Sequence, residues 1–75
     1  MKTGDYIVQP NTETTALVMN QLKNGSFRAL AHDYRGRIVQ TTITNWYPAP
    51  VVVPVETISP KIIAKINSYR TRTGL

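Results

Sequence analysis

The single histidine, His32, stands beside Asp33, and the two are the nearest thing in this chain to a base and the carboxylate that would orient it. In an extended segment adjacent side chains point to opposite faces, so the pair does not form the contact that general-base catalysis needs. The hydroxyls of Ser26, Ser59 and Ser68 fall in turn, helix-start and helix-surface contexts, with no nucleophile motif around any of them. The four carboxylates, Asp5, Glu13, Asp33 and Glu56, are scattered, and there is no cysteine. Acid–base, nucleophilic and metal-ligand chemistry all lack their residue patterns, so the expectation is a non-enzymatic protein with neither metal nor cofactor.

Recognition chemistry is better represented. Arg28, Arg35 and Arg37 bracket one stretch with Tyr34 between them, which offers guanidinium groups to phosphates and a ring to a nucleobase. Lys61, Lys65, Ser68 and Arg72 recur at helical spacing and add a basic stripe suited to backbone phosphates. A second set points to a protein partner: Trp46, Tyr47, Pro48 and Pro50 lie together, and Tyr6 joins them if the first strand pairs nearby. Trp46 has an equally simple role as a plug of the core. A third use is a homo-oligomer sharing the segment 51–55 and the face of Ile62, Ile63 and Ile66.

Charge favours an acidic partner. Nine Lys and Arg against four acids leave a net +5, and the segment 57–75 holds Lys61, Lys65, Arg70 and Arg72 with no acid, so +4 of that charge lies there. A basic C-terminal quarter on a nearly neutral body suits nucleic acid, an anionic membrane or an acidic protein patch. No run approaches the roughly 18 apolar residues of a membrane span, and residues 1–5 do not open an apolar signal segment. A soluble cytoplasmic protein is expected.

The elements that must position these groups follow from the residue patterns. Seventy-five residues suffice for one small domain. Ten Thr, seven Val and seven Ile make a strand-forming composition. Strands are expected at 5–9, 15–23, 26–32, 37–46 and 51–55. Asn24-Gly25 predicts a two-residue turn with both residues left-handed, and the segment 33–36 predicts a second hairpin. Pro54 places the last strand on an edge. Ser59-Pro60 signals a helix start, with Ser59 as N-cap, and the helix is expected over about 60–70 with a tail at 71–75. Ile7, Val8, Val18, Phe27, Ile38, Ile43, Val53, Ile62 and Ile66 are the expected core.

Gly4-Asp5-Tyr6-Ile7-Val8, Ala16-Leu17-Val18 and Asn24-Gly25-Ser26-Phe27-Arg28-Ala29-Leu30 together resemble the opening rhythm of bacterial SH3-like and KOW-type small barrels. That resemblance covers roughly the first forty residues. It implies a module that binds RNA, DNA, the ribosome or a peptide, or an adaptor in a larger complex. The expected architecture is mainly β, either a small SH3-like barrel or a curled five-stranded antiparallel sheet, with a C-terminal amphipathic helix. The expected function is nucleic-acid binding through Arg28, Tyr34, Arg35, Arg37, Lys61, Lys65 and Arg72, the alternative being a protein-interaction adaptor or homo-oligomeric subunit.

Overall fold

A computed structural model describes residues 1–43 and 49–75. The elements are β1 (Tyr6–Gln9), β2 (Thr14–Gln21), β3 (Phe27–His32), β4 (Ile38–Ile43) and β5 (Val51–Val53), then a single 3-10 turn at Val55–Thr57 and α1 (Pro60–Thr73). All pairings are antiparallel, and the strands lie in the order β4-β3-β2-β1-β5. The sheet is open, with β4 and β5 as its edges. Of the two expected architectures, the five-stranded sheet with a terminal helix is the one found.

Two hydrophobic clusters back onto the same strands. Ile7, Ala16, Val18, Ala29, Ala31 and Ile43, with Phe27, occupy one face. Leu17, Leu30 and Ile66, with Tyr6, Met19, Ile38, Ile62 and Tyr69, occupy the other, where α1 lies. Successive residues of β2 and β3 alternate between the clusters because strand side chains point alternately up and down. This explains Leu30, which breaks a one-faced apolar pattern: it is buried on the helix side. At Met19 the β2–β3 register shifts by one residue, so the chain bulges there.

The core is broader than expected. Ile7, Val18, Ile43 and Ile66 are buried as anticipated, while Val8, Phe27, Ile38, Val53 and Ile62 are half-buried. Ala16, Leu17, Ala29, Leu30 and Ala31 are buried in addition, because apolar clusters form on both faces of the sheet rather than one, and Ile58, between the 3-10 turn and α1, is buried as well.

Local geometry corrects three further expectations. The turn at Asn24-Gly25 is not of the two-residue kind. Gly25 N–H donates to Leu22 O at 3.0 Å and Leu22 N–H to Ser26 O at 2.7 Å, closing a three-residue loop. Only Gly25 is left-handed there, at φ +89°, because a type I turn needs one such residue after it where a type I′ turn needs two. The helix does not fray at Arg70. It runs to Thr73, whose hydroxyl donates to Tyr69 O at 2.7 Å, and it ends where Gly74 N–H donates back to Arg70 O. At its start Ser59 is the N-cap as expected, but its hydroxyl makes no capping bond and its carbonyl accepts from Ile62 N–H and Ile63 N–H. Finally, Ile62 and Ile66 face the sheet, with Ile66 wholly buried, so that helix face is not open to a second copy.

Candidate nucleic-acid interface

The segment from Asp33 to Arg37 turns β3 into β4. Gly36 N–H donates to Asp33 O at 2.9 Å, and Asp33 N–H donates to Arg37 O at 2.8 Å. Gly36 takes φ +78°, a conformation that costs a side-chain-bearing residue about 1–2 kcal/mol. The Asp33 carboxylate holds the inside of the loop, its Oδ1 accepting from Arg35 N–H and Arg37 N–H, each at 2.9 Å. The Arg37 bond, above all, holds the carboxyl below the usual aspartate range. Partial desolvation opposes that shift, and the Arg35 bond and both guanidinium charges reinforce it. Asp33 is therefore an ionised structural acceptor committed to its own turn.

The helix reaches this tip from the side. Lys65 Nζ donates to Gly36 O at 3.1 Å, and Gln40 Nε2 donates to the Tyr69 hydroxyl at 3.4 Å. Between the tip and α1 lies a cleft of about 580 Å³. Arg37 lines it from the hairpin, and Lys65 and Arg72 line it from the helix. Ile38 and Tyr69 supply its apolar walls, and Ser68 adds a hydroxyl. The Arg72 guanidinium lies over the Tyr69 ring, 5.5 Å from its centre. No Asp or Glu lines the cleft. Three cations, each on a different element or helical turn, face a shared space with no internal counter-charge.

At the hairpin tip Tyr34 is 89 % exposed and lines a second, neighbouring cleft that shares Gly36 with the first. Arg35 Nε donates to its hydroxyl at 3.0 Å, and the guanidinium lies 5.3 Å from the ring centre. The sequence-derived set is thus divided by the fold. Arg37, Lys65 and Arg72 converge on the first cleft, whereas Tyr34 lines the second and Arg35, held on the Tyr34 ring, lines neither. Lys61 is exposed one helical turn before Lys65 and does not line the cleft. Arg28 pairs with Asn20 and Thr42 near the opposite hairpin, four strand residues or about 13 Å from His32, so the fold separates it from Arg35 and Arg37. Tyr69 was legible only as a member of the apolar helical stripe. Its place at the border of that stripe with the basic one was the available signal.

His32 has a structural role. Its Nε2 accepts from Thr15 N–H at 3.0 Å, continuing the β2–β3 ladder past Ala16–Ala31, and an accepting Nε2 places the ring proton on Nδ1. The aromatic alternative site is not assembled among the described residues. Tyr6 is half-buried in the helix-side cluster, and Pro50 lines a separate depression with Phe27 and Ile43. Trp46, Tyr47 and Pro48 lie outside the described residues. Among the described residues no helix is long and apolar enough to cross a membrane, and no three His, Asp or Glu cluster in a way that would hold a metal ion. No protein-family profile, curated protein or solved structure matches the chain.

Proposed function

We propose that this chain is a cytoplasmic, non-enzymatic module that binds nucleic acid in the cleft between the β3–β4 hairpin and α1. The observation that carries the reading is the convergence of Arg37, Lys65 and Arg72 on a space that no carboxylate lines. Bases from sequence-distant segments otherwise gain nothing by facing one another, since like charges repel. An anionic backbone would relieve that repulsion, and release of its condensed counterions would supply affinity. Nucleic-acid binding is also among the functions implied by the resemblance of the first forty residues to SH3-like and KOW-type barrels. Binding through Tyr6, Trp46, Tyr47, Pro48 and Pro50 to a protein partner is the weaker reading, because Tyr6 packs inward.

The test is fluorescence anisotropy of labelled oligonucleotides at several salt concentrations. Three phosphate contacts predict a log–log slope of roughly −2 to −3. Arg37→Ala combined with Arg72→Ala should flatten that slope by about 1.5 to 2 while leaving the melting temperature in place. Lys65 is unsuited to this pair because its ammonium also ties the hairpin to the helix. Salt-insensitive binding, or binding unaltered by the double substitution, overturns the proposal.

A further inference from the structure

We infer that the nucleic acid taken by this cleft is single-stranded, with an unpaired base stacked on Tyr34. The inference rests on the reading of the cleft as a phosphate site and adds the strandedness of its occupant. Tyr34 is the starting point. At 89 % exposure it packs into neither hydrophobic cluster, and its position in a type I turn tolerates nearly any residue, so the fold makes no demand for an aromatic there. The corresponding position of the β2–β3 hairpin, whose turn has the same backbone bonds, is Lys23.

The ring is nevertheless held in place. Arg35 bonds its hydroxyl and approaches its face, which leaves the remaining ring surface to solvent. Beneath it the turn is fixed by both N–H bonds to the Asp33 carboxylate, and from the helix by Lys65 on Gly36 O. A stacking platform that is already ordered spends little entropy on binding. Tyr69 repeats the arrangement inside the cleft, again with a guanidinium against its ring. Tyr69 stands among Arg37, Lys65 and Arg72 in the cationic cleft, and Tyr34 lines the neighbouring cleft across Gly36, which borders both; a flexible strand crossing the tip would meet cations for its backbone and a ring for its bases on either side.

A duplex meets only half of this pattern. It offers phosphates to the cations, but its base faces are stacked on one another and unavailable to either ring. The charges around the tip also set a direction for the strand. The second cleft at the tip, which no helix residue lines, is formed by Thr12, Thr14, His32, Asp33, Tyr34 and Gly36, so the Asp33 carboxylate stands in the cleft that Tyr34 lines. Phosphates therefore favour the helix side, and a base laid on Tyr34 would present its edge toward the Thr12 and Thr14 hydroxyls.

The experiment compares short oligonucleotides of about 12 nucleotides, oligo(dT), oligo(U) and a mixed duplex, by anisotropy against the unaltered protein, Tyr34→Ala and Tyr34→Phe. The single strands should bind about tenfold or more tighter than the duplex. Tyr34→Ala should weaken single-strand binding by about tenfold, Tyr34→Phe, which keeps the ring but loses the bond from Arg35, should fall between Tyr34→Ala and the parent, and the salt slope should be the same in all three because no phosphate contact is lost. Duplex binding equal to or tighter than single-strand binding, or Tyr34→Ala within about twofold of the parent, overturns the inference. In that case a salt-steep response abolished by the Arg37 and Arg72 substitutions would still uphold the cleft as a phosphate site. If neither form binds in a salt-dependent way, both conclusions fall together.

Discussion

The two hairpins on either side of β3 share a backbone and differ in consequence. Each closes with an amide of a left-handed glycine, Gly25 or Gly36, donating three residues back, and each has a carboxamide or carboxylate oxygen bonded to backbone N–H within the loop. In the first loop, among the described residues, Asn24 Oδ1 accepts one amide, Ser26 N–H at 3.0 Å. In the second, Asp33 takes two amides, and the helix adds a bond from Lys65. Among the described residues the second hairpin therefore has the helix beside it as a wall and cations from distant segments facing one space, whereas the first borders a depression lined by Met1, Ile43, Ala49 and Pro50 and by no Lys or Arg. Identical turn geometry is compatible with an inert connection or with a binding rim. The difference lies in what the rest of the chain places alongside.

Removing the wall should have the largest effect. Ile66 is fully buried between Leu17 and Leu30, so Ile66→Ala should cost about 2–5 kcal/mol, a large share of what a domain this size possesses. Thermal or urea unfolding would show it, and a change below about 0.5 kcal/mol would mean that the helix does not hold the sheet. Next comes the base of the second hairpin, which has no equivalent in the first. His32→Phe keeps a ring but removes the acceptor for Thr15 N–H, and a buried unpaired amide costs about 1–3 kcal/mol. An unaltered melting temperature would show that water replaces the imidazole.

The glycines give a matched comparison. Gly25→Ala and Gly36→Ala each force alanine into the left-handed region at about 1–2 kcal/mol. A Cβ at Gly36 would also lie 3.2 Å from Lys65 Nζ, whereas one at Gly25 meets nothing within 4 Å. Gly36→Ala should be the more damaging to oligonucleotide binding, and equal binding by both variants would remove the link between turn and cleft. The smallest effect concerns pH. Because Asp33 is held below the ordinary carboxyl range in the folded hairpin, the unfolded chain takes up its proton first. Its contribution is complete above that ordinary range and is lost as pH falls through the folded value. The Arg35 and Arg37 amide resonances should shift in that acid window, and in Asp33→Asn they should not.

Much of the architecture was legible because it is local. The apolar run Ala16-Leu17-Val18-Met19 marks β2, an alternation broken at Leu30 marks β3, Pro10 and Pro54 mark strand exits, and Ser59-Pro60 marks the start of α1. A single strand does not say how many of its faces will be covered, so the burial of Leu17, Leu30 and three alanines follows only from the two clusters on opposite faces of the sheet. Likewise Asn24-Gly25 announces a turn, but the choice between a two-residue and a three-residue loop depends on the pairing of Leu22 with Ser26 across it.

The candidate site divides along the same line. Which residues carry positive charge and aromatic rings, and the existence of a hairpin at 33–37 and a basic helical stripe, were set by residue type and short-range periodicity. Those forces act within a few positions along the chain. That Arg28 leaves the group, that Tyr69 becomes a wall, and that Arg37 meets Lys65 and Arg72 were decided only by the docking of α1 onto the sheet through Ile62, Ile66 and Tyr69. Docking is driven by burial of apolar surface, which is non-directional along the chain. It brings residues some thirty positions apart into one cleft without leaving a signal in the spacing of either segment.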